Sequence, residues 1–263
     1  MSLIKSPEQI EKMRIAGRLT AQVLEAVTHI VQPGITTMDI ETFCEDYIVN
    51  TLKATPGSKG QYGYPYCVNT SLNHVICHGM PSAKQVLKKG DIVNVDVTVK
   101  YEGYFGDSSK MFCIGAVASH AQRLVDVTQA CLYKGIAIVK PGVTLGDIGS
   151  AIQMHAEANH YSVVREYCGH GIGVNMHEEP QVMHYGRSGM GMALKEGMTF
   201  TIEPMINQGL ADVRHLEKDG WPIAITKDRK LSAQWEHTIL VTPTGFDVLT
   251  LREEEHGVFE PAK

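Results

Sequence analysis

The chain has 263 residues, 43% hydrophobic and 20% charged, with a formal net charge of −5. That balance excludes a disordered chain, and no apolar run approaches the ~18 residues of a membrane span. A pI near 6.2 gives no reason to expect nucleic acid as the main partner.

The opening MSLIKSPEQIEKMR holds no apolar stretch of secretory length. Cys44, Cys67, Cys77, Cys113, Cys131 and Cys168 show no C-x-x-C pairing and read as reduced thiols of a cytoplasmic protein. In chain order, Ser6-Pro7-x-Gln9 predicts a helix start with Pro in its first turn, and Ile10, Met13, Gly17 and Leu24 give its apolar face. Thr36-x-x-Asp39 predicts a second start, a capping box with Asp in place of the usual Glu. Ile40, Phe43, Tyr47 and Ile48 then follow at helical spacing. VNVDVTVKYEGYFGDSSKMF reads as a β-hairpin turning near Tyr101–Gly103. Ser119-x-x-Gln122 predicts a third helix start, with Leu124, Val127, Cys131 and Leu132 inward. Thr144-x-x-Asp147 predicts a fourth, with Ile148, Ala151 and Ile152 inward.

The chain repeats itself. VQPGITTMDI at residues 31–40 and VKPGVTLGDI at 139–148 agree at six of ten positions, 108 residues apart. LKKGDIVNVD (87–96) and LKEGMTFTIE (194–203) echo each other at a spacing of 107, each a Gly turn before a β-rich run that ends in an acid. YFGDSSKMFCIG (104–115) and QWEHTILVTPTG (234–245) form a third pair. Three matches in one order indicate two related halves, about 1–115 and 116–250. A period near 110 is too long for a solenoid. It predicts one fused α+β domain over residues 1–263, with a pseudo-two-fold axis and no linker.

With an even-length loop, Asp96 and Asp107 fall opposite each other on one face of the hairpin; an odd loop separates them. Directly opposed side chains have Cβ atoms ~4.5–5.5 Å apart, where like charges repel. Val93, Val95, Val97 and Val99 take the other face and are expected in the core. From the hairpin alone, two solvated acids explain the pattern as well as a buried pair does. The repeat tips the balance. Glu203 stands where the first half has Asp96, and Glu236 where it has Asp107. Pseudo-symmetry brings four carboxylates to the axis, and four buried negative charges need compensation. Two divalent cations supply it, as in two-metal hydrolytic sites with ions ~3.5–4 Å apart. His170, between glycines, is the candidate fifth ligand. His78-x-x-Pro81 and His177-x-x-Pro180 place one further histidine in each half, as proton donors or oxyanion partners. Oxygen donors with one imidazole admit manganese, iron, cobalt or zinc.

Taken together, NVDVTV…GDSSKMF, EYCGHGIGVNMHEEP, GMTFTIEPM and SAQWEHTILVT resemble the metal-ligand segments of type I, bacterial-type methionine aminopeptidases. The likeness runs from the first helix to about residue 251. It implies the pita-bread fold, two pseudo-symmetric αβ halves around a central antiparallel sheet. It implies Asp96, Asp107, His170, Glu203 and Glu236 as ligands of two metal ions, with Asp107 and Glu236 bridging them. It implies removal of the initiator methionine from nascent proteins when the second residue is small, through attack of metal-bound hydroxide on the methionyl carbonyl. Glu203 then relays the proton, His177 meets the carbonyl and His78 contacts the scissile amide. Tyr64 and Trp221 are the candidates for the methionine pocket. Asn73, Val75 and Ser232 match a monovalent-cation site of the family.

Departures from the family pattern fall around the pocket. Gln61 and Tyr62 exchange the usual order of an aromatic and its neighbour, Ser58 and Asn69 stand where some relatives have cysteines, and Met176 replaces a familiar phenylalanine. No zinc-finger-like segment precedes Ser6, and no long insertion separates His177 from Glu203, as expected of the short bacterial form. Lys218, Lys227, Arg229 and Lys230 make a modest basic stretch, read as a solvated loop or as a contact for the ribosome. A monomer is expected, with no specific nucleic acid and no membrane among its partners. Two other readings share the ligand pattern or the fold: a proline-specific peptidase, and a peptide-binding module without chemistry.

Overall fold

The computed structural model describes residues 3–259. Its first half runs α1 (Pro7–Val27), α2 (Thr37–Asp46), β1 (Thr55–Pro56), β2 (Val68–Leu72), β3 (Val75–Cys77), β4 (Ile92–Tyr101) and β5 (Tyr104–Cys113). The second runs α3 (Ser119–Ala137), α4 (Leu145–Ala158), β6 (Ser162–Val163), β7 (Gly169–Gly171), β8 (Glu178–Val182), β9 (Thr199–Ile202), β10 (Met205–Asn207), β11 (Val213–Lys218), β12 (Trp221–Thr226), β13 (Ser232–Gln234), β14 (His237–Val241) and β15 (Phe246–Val248). The pairings among these strands are antiparallel.

The helix starts follow the capping chemistry. Ser6 with Gln9, Thr36 with Asp39 and Thr144 with Asp147 each form a reciprocal capping box. The third start departs from expectation. α3 is capped by Ala118 without a side-chain bond, and Ser119 is already its first helical residue. The expected partner Gln122 instead donates to Asp126, one turn further along.

The repeat is visible in the backbone. Leu87 N–H donates to Ile35 O at 2.8 Å, and Leu194 N–H donates to Val143 O at 2.7 Å. Gly90 N–H donates to Ile114 O and Gly197 N–H to Val241 O, both at 2.9 Å. In each half the Pro-Gly turn before a helix is therefore tied to the Gly turn before a ligand strand.

Glu102 and Gly103, both at positive φ, close the β4–β5 hairpin in a two-residue turn that matches the twist of its strands. Val93, Val95, Val97 and Val99 are fully buried, in one cluster with Val23, Leu24 and Ile40 of the helices. Each buried valine contributes roughly 1.5–3 kcal/mol. Helix α1 crosses β5 so closely that a Cβ on Gly106 would lie 2.6 Å from Gly17 N. Thr20 Oγ1 donates to Gly106 O at this crossing. The second half packs α3 and α4 through Leu124, Cys131, Leu132, Ile148 and Ile152 against Phe200, Ile202 and Ile239.

The halves meet where β5 runs beside β14. Glu236 N–H donates to Ser109 O at 3.1 Å, Ser108 Oγ donates to Glu236 O at 2.6 Å, and Asp107 N–H donates to Thr238 Oγ1 at 3.0 Å. This seam places Asp107 and Glu236 side by side.

Candidate metal centre

The hairpin register corrects one expectation. The loop is even-length, yet Asp96 pairs with Ser109 and Asp107 with Thr98. The two acids share a face but sit diagonally, where Cα atoms are ~7–8 Å apart. The diagonal spacing leaves room for an ion between the carboxylates.

All five expected ligands line one cavity of about 620 Å³, together with His78, His177, Tyr64 and Trp221. Donor atoms of Asp107, His170 and Glu236 lie within 4.8 Å of one another. His170 Nε2 is 3.7 Å from Asp107 Oδ2 and 3.6 Å from Glu203 Oε1. These separations are too long for hydrogen bonds. They match the roughly 3.4 Å between donors that each sit ~2.1 Å from a shared tetrahedral ion. His170 Nδ1 is 3.0 Å from Gly171 O. A carbonyl only accepts, so Nδ1 carries the proton and Nε2 presents a lone pair to the cavity.

Burial pushes the Asp107 carboxyl up to about 7, against hydrogen bonds from Thr98 and from the Ser108 backbone. Burial, reinforced by the neighbouring acids, raises Asp96, Glu203 and Glu236 well above the carboxylate range. The fold thus concentrates acids that need either protons or cations to stay charged-balanced. Burial also pulls His170 down to about 3, helped by His177, and His78 down to about 4, helped by His177 and His215. His177 is lowered by burial as well. At neutral pH these imidazoles carry no charge.

Sequence reasoning missed the groups that aim the acids. Thr98 Oγ1 donates to Asp107 Oδ1 at 2.9 Å, and Ser58 Oγ donates to Thr98 Oγ1 at 3.0 Å. Ser58, noted only as a departure, therefore begins a hydroxyl relay to a ligand. Thr201 Oγ1 donates to Glu203 Oε1, Gln234 Nε2 donates to Glu203 Oε2, and Glu203 N–H donates to His184 Nε2. His184 is fully buried, and burial holds it at about 3, so its ring accepts. The signal for Thr98 lay in its place opposite Asp107 in the hairpin. His184 left none, because its partner is a backbone amide 19 residues away.

His78 follows β3 at a φ of +61°, and Trp221 Nε1 donates to its carbonyl at 3.0 Å. The indole is delivered by the β11–β12 hairpin, whose Asp219-Gly220 turn is at positive φ throughout. Tyr64 packs against Trp221 with ring centres 4.5 Å apart and planes tilted by 40°, and its hydroxyl donates to Val68 O. Cys77 and Met205 add apolar wall, and Tyr167 packs edge-on against His78. Tyr62, at the exposed rim, lies 3.1 Å from His177 Nδ1 through its hydroxyl. Away from the cavity, Ser232 N–H donates to Asn73 O at 2.9 Å, so two of the three expected monovalent-site residues are neighbours.

The profile of metallopeptidase family M24 matches residues 11–243. A methionine aminopeptidase of Salmonella typhimurium is 54% identical over 252 residues, 96% of this chain and 95% of its own. The chain belongs to the methionine aminopeptidases of family M24. A crystal structure of the family member from Rickettsia prowazekii superposes with a TM-score of 0.91 at 48% identity, covering 94% of this chain and 99% of that one. The prolidase of Pyrococcus horikoshii shares the fold at a TM-score of 0.72 and 22% identity, over 95% of this chain and 64% of its own. The pita-bread architecture expected from the family likeness is therefore present.

Proposed function

We propose that the chain is a metal-dependent aminopeptidase that removes the N-terminal methionine of nascent proteins when the second residue is small. One observation carries this reading: acids from both halves and one imidazole converge on the floor of a cavity walled by an aromatic slot. The donors fit two divalent ions, because four carboxylates and a neutral imidazole offset their charge and the donor spacing suits an ion. Asp96, Asp107, His170, Glu203 and Glu236 would hold them. When bound, such ions lower the pKa of water and polarise a carbonyl.

The remaining work falls to the chain's own side chains. Tyr64 and Trp221, with Cys77 and Met205, form an apolar slot for an unbranched thioether. The Glu203 carboxyl, held at both oxygens by Thr201 and Gln234, accepts the proton of the attacking water and hands it on. His177 donates to the substrate carbonyl oxygen as charge develops there. His78 contacts the scissile amide, its ring wedged between Tyr167 and Trp221. We read residues 1–263 as one fused domain, since the ligand set is completed only across the β5–β14 seam. The enzyme is assigned to the cytoplasm as a monomer, with all six cysteines free. Among the described residues no helix is long and apolar enough to cross a membrane. The ion could be cobalt, manganese, iron or zinc. A monovalent cation is assigned to Asn73, Val75 and Ser232, and a ribosome contact to the basic stretch beside Trp221.

A metal-reconstituted assay on Met-Xaa peptides, with Xaa stepped from Gly to Leu, tests the reading. Activity is expected to fall with side-chain size. Cleavage confined to an Xaa-Pro peptide assayed in parallel would overturn it.

A further inference from the structure

Behind the ligand seam, on the side away from the cavity lining, lies a buried guanidinium that the mechanism above does not use. Arg252 is fully buried. Its Nη1 donates to Ser108 Oγ at 3.0 Å, and Ser108 Oγ in turn donates to Glu236 O at 2.6 Å. Its Nη2 donates to Glu255 Oε1 at 2.7 Å and lies 3.3 Å from His237 Nε2. The guanidinium also stands over the Trp235 ring, 5.5 Å from its centre. One side chain therefore touches Ser108, next to Asp107, and both sequence neighbours of Glu236. Glu255 is itself tied to Tyr133 Oη at 2.7 Å and to His237 Nε2 at 3.1 Å.

Charge and geometry act together here. The Glu236 carbonyl, pinned by Ser108, and its amide, pinned by Ser109 O, fix the backbone from which the carboxylate projects. A buried cation is costly unless paired, and Glu255 pairs this one. Polarised chains of this kind strengthen each member.

Resting on the metal-dependent reading above, we propose that Arg252 is a positioning residue for the metal centre, holding Asp107 and Glu236 in register across the seam through Ser108. It touches neither substrate nor ion. It acts by setting where two donors from different halves come to rest. Partners lying behind metal ligands typically carry 10–100-fold in metal affinity or activity.

The test uses the full chain with Mn²⁺ as the probe, read by calorimetric titration of the metal-free protein. Arg252→Met keeps the length over Trp235 but removes the donors, and should weaken Mn²⁺ binding by about 10–100-fold. It also strands Glu255, so Arg252→Met/Glu255→Gln is measured beside it, with no orphaned charge left. Arg252→Lys should recover part of the affinity. With saturating metal, kcat should fall while KM stays within about two-fold, because the methionine slot is untouched. A merely structural arginine predicts that the double variant regains both melting temperature and metal affinity. Mn²⁺ binding by the double variant within three-fold of the parent chain would overturn the proposal. A parent chain that takes up none of Mn²⁺, Co²⁺, Fe²⁺ and Zn²⁺ overturns the metal-dependent reading itself, and is recognised before any variant is compared.

Discussion

The two halves supply matching acids by different means. In the first, Asp96 sits mid-strand in an unbroken ten-residue β4, flanked by Asn69 on β2 and Ser109 on β5. The ladder itself aims it. In the second, β9 stops at Ile202, Pro204 follows Glu203, and β10 starts at Met205. Proline has no N–H to give a ladder, and the Glu203 amide turns to His184 instead. Glu236 falls in the gap between β13 and β14, but its backbone is bridged to Ser109 of β5. A regular sheet suffices to place an acid as a fixed anchor. Under the proposed mechanism, the acid that also moves a proton, Glu203, is the one released from the ladder and steered by Thr201 and Gln234.

The severest way to break this contrast is to remove one acid from each half. Glu203→Gln and Asp96→Asn are each expected to lower kcat by about 10²–10⁴-fold, with an unchanged circular dichroism spectrum. Normal turnover in either variant, with metal content measured, would end the shared-site reading. His184→Leu sharpens the contrast, because it orphans a buried amide in the second half alone. It should cost roughly 1–3 kcal/mol by denaturant titration and lower kcat more than it raises KM.

Acid stability comes next. Burial pushes the Glu255 carboxyl up, but His237, Arg252 and Tyr133 beside it overrule this and hold it well below its ordinary 4.5. Its ion therefore contributes stability in full above pH 4.5, and that contribution is lost as pH falls further. Glu255→Gln should flatten the acid limb of a stability–pH curve below pH 4.5. The smallest effects separate the helix starts. Thr144→Ala should cost about 1 kcal/mol. Ser119→Ala should stay within about 0.5 kcal/mol, because Ala118 holds the cap position. An equal cost for both would contradict the observed cap.

Signals carried by neighbours in the chain were readable in advance. Thr36 with Asp39 and Thr144 with Asp147 reach their partners within one turn, and Glu102-Gly103 closes its hairpin with local turn chemistry. The valine alternation in β4 named the buried face. The internal repeat indicated which acids correspond, and the cavity gathers those acids. Register is less legible: an even loop alone allows Asp96 opposite Asp107, whereas the tight turn at 102–103 pairs Tyr101 with Tyr104 and moves them to a diagonal. His184 and Gln234 left no trace because their partner, Glu203, is reached through folding rather than spacing, while Thr201, two residues before Glu203, reads as an ordinary strand threonine. Ser119 misled because the Ser-x-x-Gln spacing does not reveal that Ala118 takes the extended cap conformation and Ser119 is already helical.

The seam between β5 and β14 has a further consequence. Each lobe brings only two of the four acids, so neither lobe alone could cage a pair of dications. Under the metal-dependent reading, severing the polypeptide in the turn before α3 should leave two fragments that capture the ions only once reunited.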